Sequence, residues 1–114
     1  MPLTIAECHA EDLPALSGLY RHLNPDDLPC APDLAAAGLA QLHRWPGCAV
    51  LLGWLEGVLV ASCTLVVIPN LTRGGDPYAL IETVVTHGAY RRQGAGKAIL
   101  AAAVAAPGLM GVTR

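Results

Sequence analysis

Two apolar runs, Ala49 to Leu55 and Val58 to Ile68, are joined by nothing but Glu56-Gly57. A linker of two residues leaves one way to pair two strands, an antiparallel hairpin, because a parallel return needs a crossover of a dozen residues or more. A third run, Tyr78 to Thr86, follows after the loop Pro69 to Pro77, which holds Asn70, Thr72 and Gly74-Gly75. Three strands in succession, with no helix between them, exclude a repeated βαβ winding for this part of the chain.

The flanking segments read as helices and one short strand. Leu3 to Cys8 sets Leu3 and Ile5 against Thr4, the alternation of a strand. Ala10-Glu11-Asp12 supplies acidic residues for a first helical turn, and Leu13, Leu16, Leu19, Tyr20 and Leu23 recur every three to four residues as a buried face. Asn24-Pro25-Asp26-Asp27 stops that helix, and loop continues to Pro32. Asp33 is placed to cap a second helix to about Trp45, carrying Leu34, Leu39 and Leu42 and ended by Pro46-Gly47. The last helix spans about Gly94 to Ala106 and ends at Pro107-Gly108. The order is strand, two helices, three strands, helix. It predicts an α+β fold with a mostly antiparallel mixed sheet and flanking helices, in one domain over residues 1–114.

Several function classes drop out. The longest uninterrupted apolar run, Ala98 to Ala106, is far shorter than the roughly 20 residues of a membrane-spanning helix. Met1-Pro2-Leu3-Thr4 has no basic region of a secretory signal, so a cytoplasmic location is expected. Cys8, Cys30, Cys48 and Cys63 stand far apart with no C-x-x-C pair, which predicts reduced, mostly core thiols and no metal site. A net charge of −2 excludes a globally basic nucleic-acid binder. Local charge differs, since Arg91, Arg92 and Lys97 fall within seven residues, a cluster suited to a compact anion.

That cluster belongs to Arg91-Arg92-Gln93-Gly94-Ala95-Gly96-Lys97, a glycine turn between a strand and a helix. Such a turn leaves backbone N–H groups unpaired and lets an anion approach them. A P-loop would require glycine where Arg91 stands and Ser or Thr where Ala98 stands. The dinucleotide fingerprint would put its third small residue at Ile99.

The hexapeptide Arg91-Arg92-Gln93-Gly94-Ala95-Gly96 resembles the acetyl-coenzyme A signature of the GNAT N-acetyltransferases: Arg or Gln, two variable residues, Gly, any residue, then Gly or Ala. Its surroundings are also similar to the family, with Ile81-Glu82-Thr83-Val84-Val85-Thr86 before it, the approach His87-Gly88-Ala89-Tyr90, and Lys97-Ala98-Ile99-Leu100 after it. The order of elements from residue 3 to 106 resembles the N-terminal two thirds of that fold.

The resemblance implies acetyl transfer from acetyl-coenzyme A to a primary amine on a small molecule or peptide. Backbone N–H groups from Arg92 through Lys97, including those of Gln93, Gly94, Ala95 and Gly96, would cradle the pyrophosphate. Val84 and Val85 would offer main-chain hydrogen bonds to the pantetheine arm. Arg91 and Arg92 would reach phosphate oxygens or stand as solvated surface charges. Glu82 is the candidate base, expected to be desolvated between Ile81 and Val84, with pairing to an arginine such as Arg73 as its alternative role. Polarisation of the thioester carbonyl would fall to the N–H of Val84 or Val85. No tyrosine follows Tyr90 to act as the acid found in many relatives; Tyr78 and Tyr90 read as packing residues, and His87 as a proton relay or an exposed loop residue.

Against the family pattern, only Leu109-Met110-Gly111-Val112-Thr113-Arg114 stands where a fifth strand, a fourth helix and final strands are expected, enough for an abbreviated strand. The last helix has no polar residue from Ala98 to Ala106, with Ile99 and Ala102 on one side and Leu100 and Val104 roughly on the other. A helix apolar all round is normally covered on both faces, so a homodimer is expected. Beside the enzyme reading stand a non-catalytic acetyl-coenzyme A-binding module and an inactive remnant of the family.

Overall fold

The computed structural model describes residues 3–105. The expected strand at Leu109 to Arg114, the helix end at Pro107-Gly108 and the side chain of Arg73 lie outside the described residues.

Four strands form one sheet in the order β1 (Thr4–Glu7), β2 (Ala49–Leu55), β3 (Val58–Ile68) and β4 (Tyr78–Thr86), every described pairing antiparallel. The β2–β3 hairpin turns at Glu56 and Gly57 with φ of 50° and 81°. Two successive positive φ angles make a type I′ turn, whose twist matches that of the strands it joins.

Helices cover both sheet faces. α1 (Leu13–Tyr20), entered through a 3-10 turn at Ala10–Asp12, and α2 (Pro32–His43) lie on one face. Their Leu16, Leu19 and Leu39 pack with Cys8, Val50, Leu52, Leu59 and Val85. α3 (Ala95–Ala105) covers the other face, burying Ala95, Ile99 and Ala103 against Leu51, Val60, Ala61 and Cys63.

Three local expectations need correction. The first helix stops at Tyr20, so Leu23 stands 53% exposed instead of extending the buried face. The second helix starts two residues early: Ala31 is its N-cap, Pro32 takes the first helical position, and Asp33 lies in the first turn. Proline suits that position because the N–H it lacks would have no intrahelical acceptor. Leu34 is exposed, and Leu39 is the buried leucine of the face.

Candidate functional site

β4 is regular except in its second half. Ser62 pairs with Val85, yet Thr64 pairs with Glu82, so β4 carries one residue more than β3 across this stretch. Thr83 absorbs it at φ 49°. A bulge of this kind bends the strand and releases part of its edge. Val84, next to it, is 38% exposed, while Val85 is buried in the core beneath α1. The His87 N–H donates to the Val60 carbonyl at 2.8 Å. Antiparallel alternation then turns the Val85 main chain toward β3 as well, so of the two valines Val84 has the open surroundings.

The chain leaves β4 through His87 and a 3-10 turn at Gly88–Tyr90, then passes Arg91–Gly94 into α3. Arg92 at φ 64° and Gly94 at φ 85° bend the backbone over the start of the helix. The first intrahelical bond there runs from the Ala98 N–H to the Gly94 carbonyl at 2.9 Å, so the N–H groups of Ala95, Gly96 and Lys97 have no acceptor in the helix. A Cβ built on Gly94 would meet nothing within 4 Å, whereas one on Gly96 would stand 3.2 Å from the Thr86 hydroxyl oxygen. Open space above unpaired N–H groups at the positive end of a helix is what an oxyanion needs. Arg92, Gln93 and Lys97 are exposed around it.

Arg91 turns elsewhere: its guanidinium donates to the backbone carbonyl of His22, just past α1, at 2.7 Å. The His22 ring accepts the Gly88 N–H on Nδ1 at 3.0 Å and lies 4.0 Å from the His87 ring, centroid to centroid. The His87 Nδ1 accepts the Ala89 N–H at 3.1 Å, and Tyr90 meets the His87 ring edge-on at 5.3 Å. Partial burial, His87 and Arg91 together hold the His22 pKa below 6.5. His87 is therefore a partnered residue and not a simple exposed loop histidine, and Tyr90 packs as expected, whereas Tyr78 is 37% exposed at the start of β4. His22 carried no sequence signal, since the residues it holds lie more than sixty positions away.

A cavity of about 220 Å³ opens between α1, the loop after it, the start of α2 and the β4 bulge. Leu13, Leu16, Tyr20 and Leu28 form its apolar walls, and Thr83 brings it to the bulge. Burial, partly offset by the Thr64 hydroxyl, pushes the Tyr20 phenol up. Cys30 lines the cavity and is exposed; Cys8, Cys48 and Cys63 are buried. Burial, with Asp12 and Glu11 nearby, pushes the Cys8 thiol up to about 11. Glu82 is exposed and not desolvated as expected, because it stands on the sheet's last described strand with its neighbour Ile81 only half-buried. Among the described residues no group of three or more His, Cys, Asp or Glu is placed to hold a metal ion. No helix among them is long and apolar enough to cross a membrane.

Comparison with known proteins places this geometry. Residues 13–114 match the profile of the Acetyltransferase (GNAT) family. No curated protein sequence matches significantly. Among solved structures, a protein of Agrobacterium tumefaciens strain C58, provisionally assigned as an acetyltransferase, is 38% identical, with a TM-score of 0.81 over 89% of this chain and 70% of that one. A Trypanosoma brucei acetyltransferase is 27% identical, with a TM-score of 0.80 over 97% of this chain and 78% of its own. An aminoglycoside N-acetyltransferase in complex with CoA shares the fold at 19% identity and a TM-score of 0.69, over 90% of this chain and 66% of that one.

Proposed function

The chain belongs to the acetyltransferase (GNAT) family, and from that premise we propose that it is a single-domain N-acetyltransferase carrying an acetyl group from acetyl-coenzyme A to a primary amine on a small molecule or peptide. The observation that carries the reading is the open turn at Gly94, where a Cβ would meet nothing within 4 Å above the unpaired N–H groups that start α3.

The main chain from Arg92 through Lys97, with Gln93, Gly94, Ala95 and Gly96 between them, holds the diphosphate. Arg92 and Lys97 add charge from the exposed rim. Arg91 acts one step back, fastening the turn to the end of α1 through the His22 carbonyl. Val84, beside the bulge, offers main-chain contacts to the pantetheine arm and a hydrogen bond to the carbonyl; Val85 supports it from the core.

When bound, acetyl-coenzyme A supplies a thioester carbon to which the acceptor nitrogen bonds as the carbon–sulfur bond breaks, the sulfur leaving with the bonding pair. The acceptor ammonium loses two protons, of which the departing sulfur takes one and a base the other. Glu82 on β4, exposed to receive a proton from a solvated ammonium, is that base. His87 is held by its contact with the Ala89 N–H, which leaves Nε2 as the atom for exchanging a proton with solvent.

Two further parts of the reading concern surroundings. Unpaired buried thiols fit a reducing cytoplasm. Leu100 and Val104 on α3 are 38% and 43% exposed, an apolar surface that a second copy of the chain covers in a homodimer.

Calorimetry with acetyl-coenzyme A tests the cofactor, and thiol release with a panel of amines tests the transfer. Heat no greater than dilution overturns the reading. Binding without thiol release for any amine leaves a non-catalytic acetyl-coenzyme A-binding module.

A further inference from the structure

We propose that the cavity beside the β4 bulge takes a compact monoamine with an aliphatic or aromatic body, and not a polyhydroxylated or polycationic amine. The proposal rests on the acetyltransferase reading above and names the acceptor class for that site.

The cavity ends at Thr83, the residue that forms the bulge and precedes Val84, so an amine nitrogen at this end lies beside the strand assigned to the pantetheine arm. Its volume of about 220 Å³ falls below the ~300–1,000 Å³ typical of pockets for drug-sized ligands. That excludes full enclosure of an oligosaccharide.

Its lining decides the chemistry. Leu13, Leu16, Tyr20 and Leu28 present carbon to the cavity, while its polar side chains are Ser17, Arg21, Asn24, Asp27 and Thr83. Sugar hydroxyls set against the leucine part of the wall would lose water without gaining partners there. Leu28 is 93% exposed and Leu23, also at the rim, 53% exposed. Both belong to the loop that follows α1, and both stand where an apolar body entering the cavity would cover them. Leucines left in solvent at the mouth of an apolar cavity gain by contact with an apolar ligand and gain nothing from a hydrated one.

Charge at the rim is balanced. Arg21 and Asp27 both line the opening, and one Asp27 carboxylate oxygen already accepts the Asn24 side-chain amide at 3.0 Å. The two lining charges offset each other, which leaves the Glu82 carboxylate next to Thr83 to meet one ammonium and none to collect a second or third, as a polyamine or aminoglycoside would need. The acceptor therefore has one ammonium, which loses its protons at the Thr83 end.

Cys30 provides a readout that needs no turnover. It lines the cavity and is exposed, whereas the other three thiols are buried, so alkylation by iodoacetamide followed by peptide mass spectrometry reports cavity occupancy. The probes are 2-phenylethylamine and hexylamine against glucosamine 6-phosphate and kanamycin, each first without acetyl-coenzyme A. The apolar amines are expected to slow Cys30 alkylation at least three-fold and the hydrophilic ones to leave it unchanged. With acetyl-coenzyme A, thiol release should favour the apolar amines at least ten-fold in kcat/KM. Leu28→Asp should remove both effects, and its exposure makes it a change the fold tolerates. Protection or turnover by the hydrophilic amines alone, or no protection by any amine, overturns the proposal. Cys30 protection by the apolar amines in a chain that gives no heat with acetyl-coenzyme A leaves the cavity assignment standing and removes the acetyltransferase reading.

Discussion

Arg91 and His22, 69 residues apart, are joined by a hydrogen bond of 2.7 Å from the guanidinium to the His22 carbonyl. The His22 ring adds a second tie by accepting the Gly88 N–H at 3.0 Å. The glycine turn before α3 is thereby fastened to the end of α1, whose following residues Leu23 and Asn24 line the cavity. The anion cradle and the cavity share one short segment of chain.

His22→Ala removes the side-chain tie and keeps the carbonyl one. The lost hydrogen bond is worth about 0.5–1.5 kcal/mol, roughly two- to twelve-fold in Kd if the turn loosens before binding. Acetyl-coenzyme A titrations of the wild type, His22→Ala and His22→Asn check this. Asparagine, which keeps an acceptor, should recover part of the loss, and identical affinities for all three would show that the tie does not position the turn.

Gly94→Ala separates strain from blockage. At φ 85° alanine costs about 1–2 kcal/mol in backbone conformation, and its Cβ meets nothing. Thermal unfolding should show a loss of that size. Binding of acetyl-coenzyme A should fall much further, because the methyl group occupies the cradle, and Gly94→Trp should abolish it. Unchanged affinity in the tryptophan variant would place the diphosphate elsewhere.

Glu82→Gln is the test of the base. Glu82 is exposed, so stability should move by no more than ~0.5 kcal/mol. Loss of a general base lowers kcat by roughly 10²–10⁴-fold. A variant that keeps the rate assigns the proton transfer to another group or to water.

His22 gives the site a pH dependence with a defined sign. Its folded pKa lies below 6.5 because partial burial and the neighbouring His87 and Arg91 disfavour the imidazolium. The unfolded chain then binds more protons than the folded one between the two values, so the contribution to stability is present above 6.5 and lost as pH falls through the folded pKa. NMR titration should find His22 below the ordinary histidine range, with Gly88 amide exchange accelerating once Nδ1 takes a proton. A titration at or above 6.5 contradicts this.

The apolar surface on α3 predicts association. Leu100→Asp and Val104→Asp place carboxylates on exposed positions, leaving the buried line Ala95, Ile99 and Ala103 intact. Sedimentation should show a dimer for the wild type and a monomer for the double variant, with equal helix content. A wild-type monomer at micromolar concentration removes the homodimer.

The sequence determined most where a local rule had no competitor. Ala49–Leu55 and Val58–Ile68 are strands as read, because apolar runs joined by a two-residue turn have one way to pair, and Tyr78–Thr86 follows as the third strand. The glycine turn was legible for the same reason, since Gly94 and the helix after it lie together in the chain. Leu23 was misread because periodicity continues past the point where the Asn24-Pro25 loop takes over. Asp33 was misread because a proline one residue earlier already suits the first helical position.

Only the tertiary structure decided the rest. The extra β4 residue that sets Thr83 at φ 49° appears when β3 and β4 are paired, since a bulge is a mismatch between two strands and not a property of one. Exposure of Glu82, the tie between His22 and Arg91, and the cavity that joins α1 to the bulge likewise depend on which distant segments meet. Hydrophobic pattern and turn chemistry act over a few residues and are written in the chain. Burial, charge environment and cavity shape are set by packing across sixty residues or more, and they exist only once the sheet has formed.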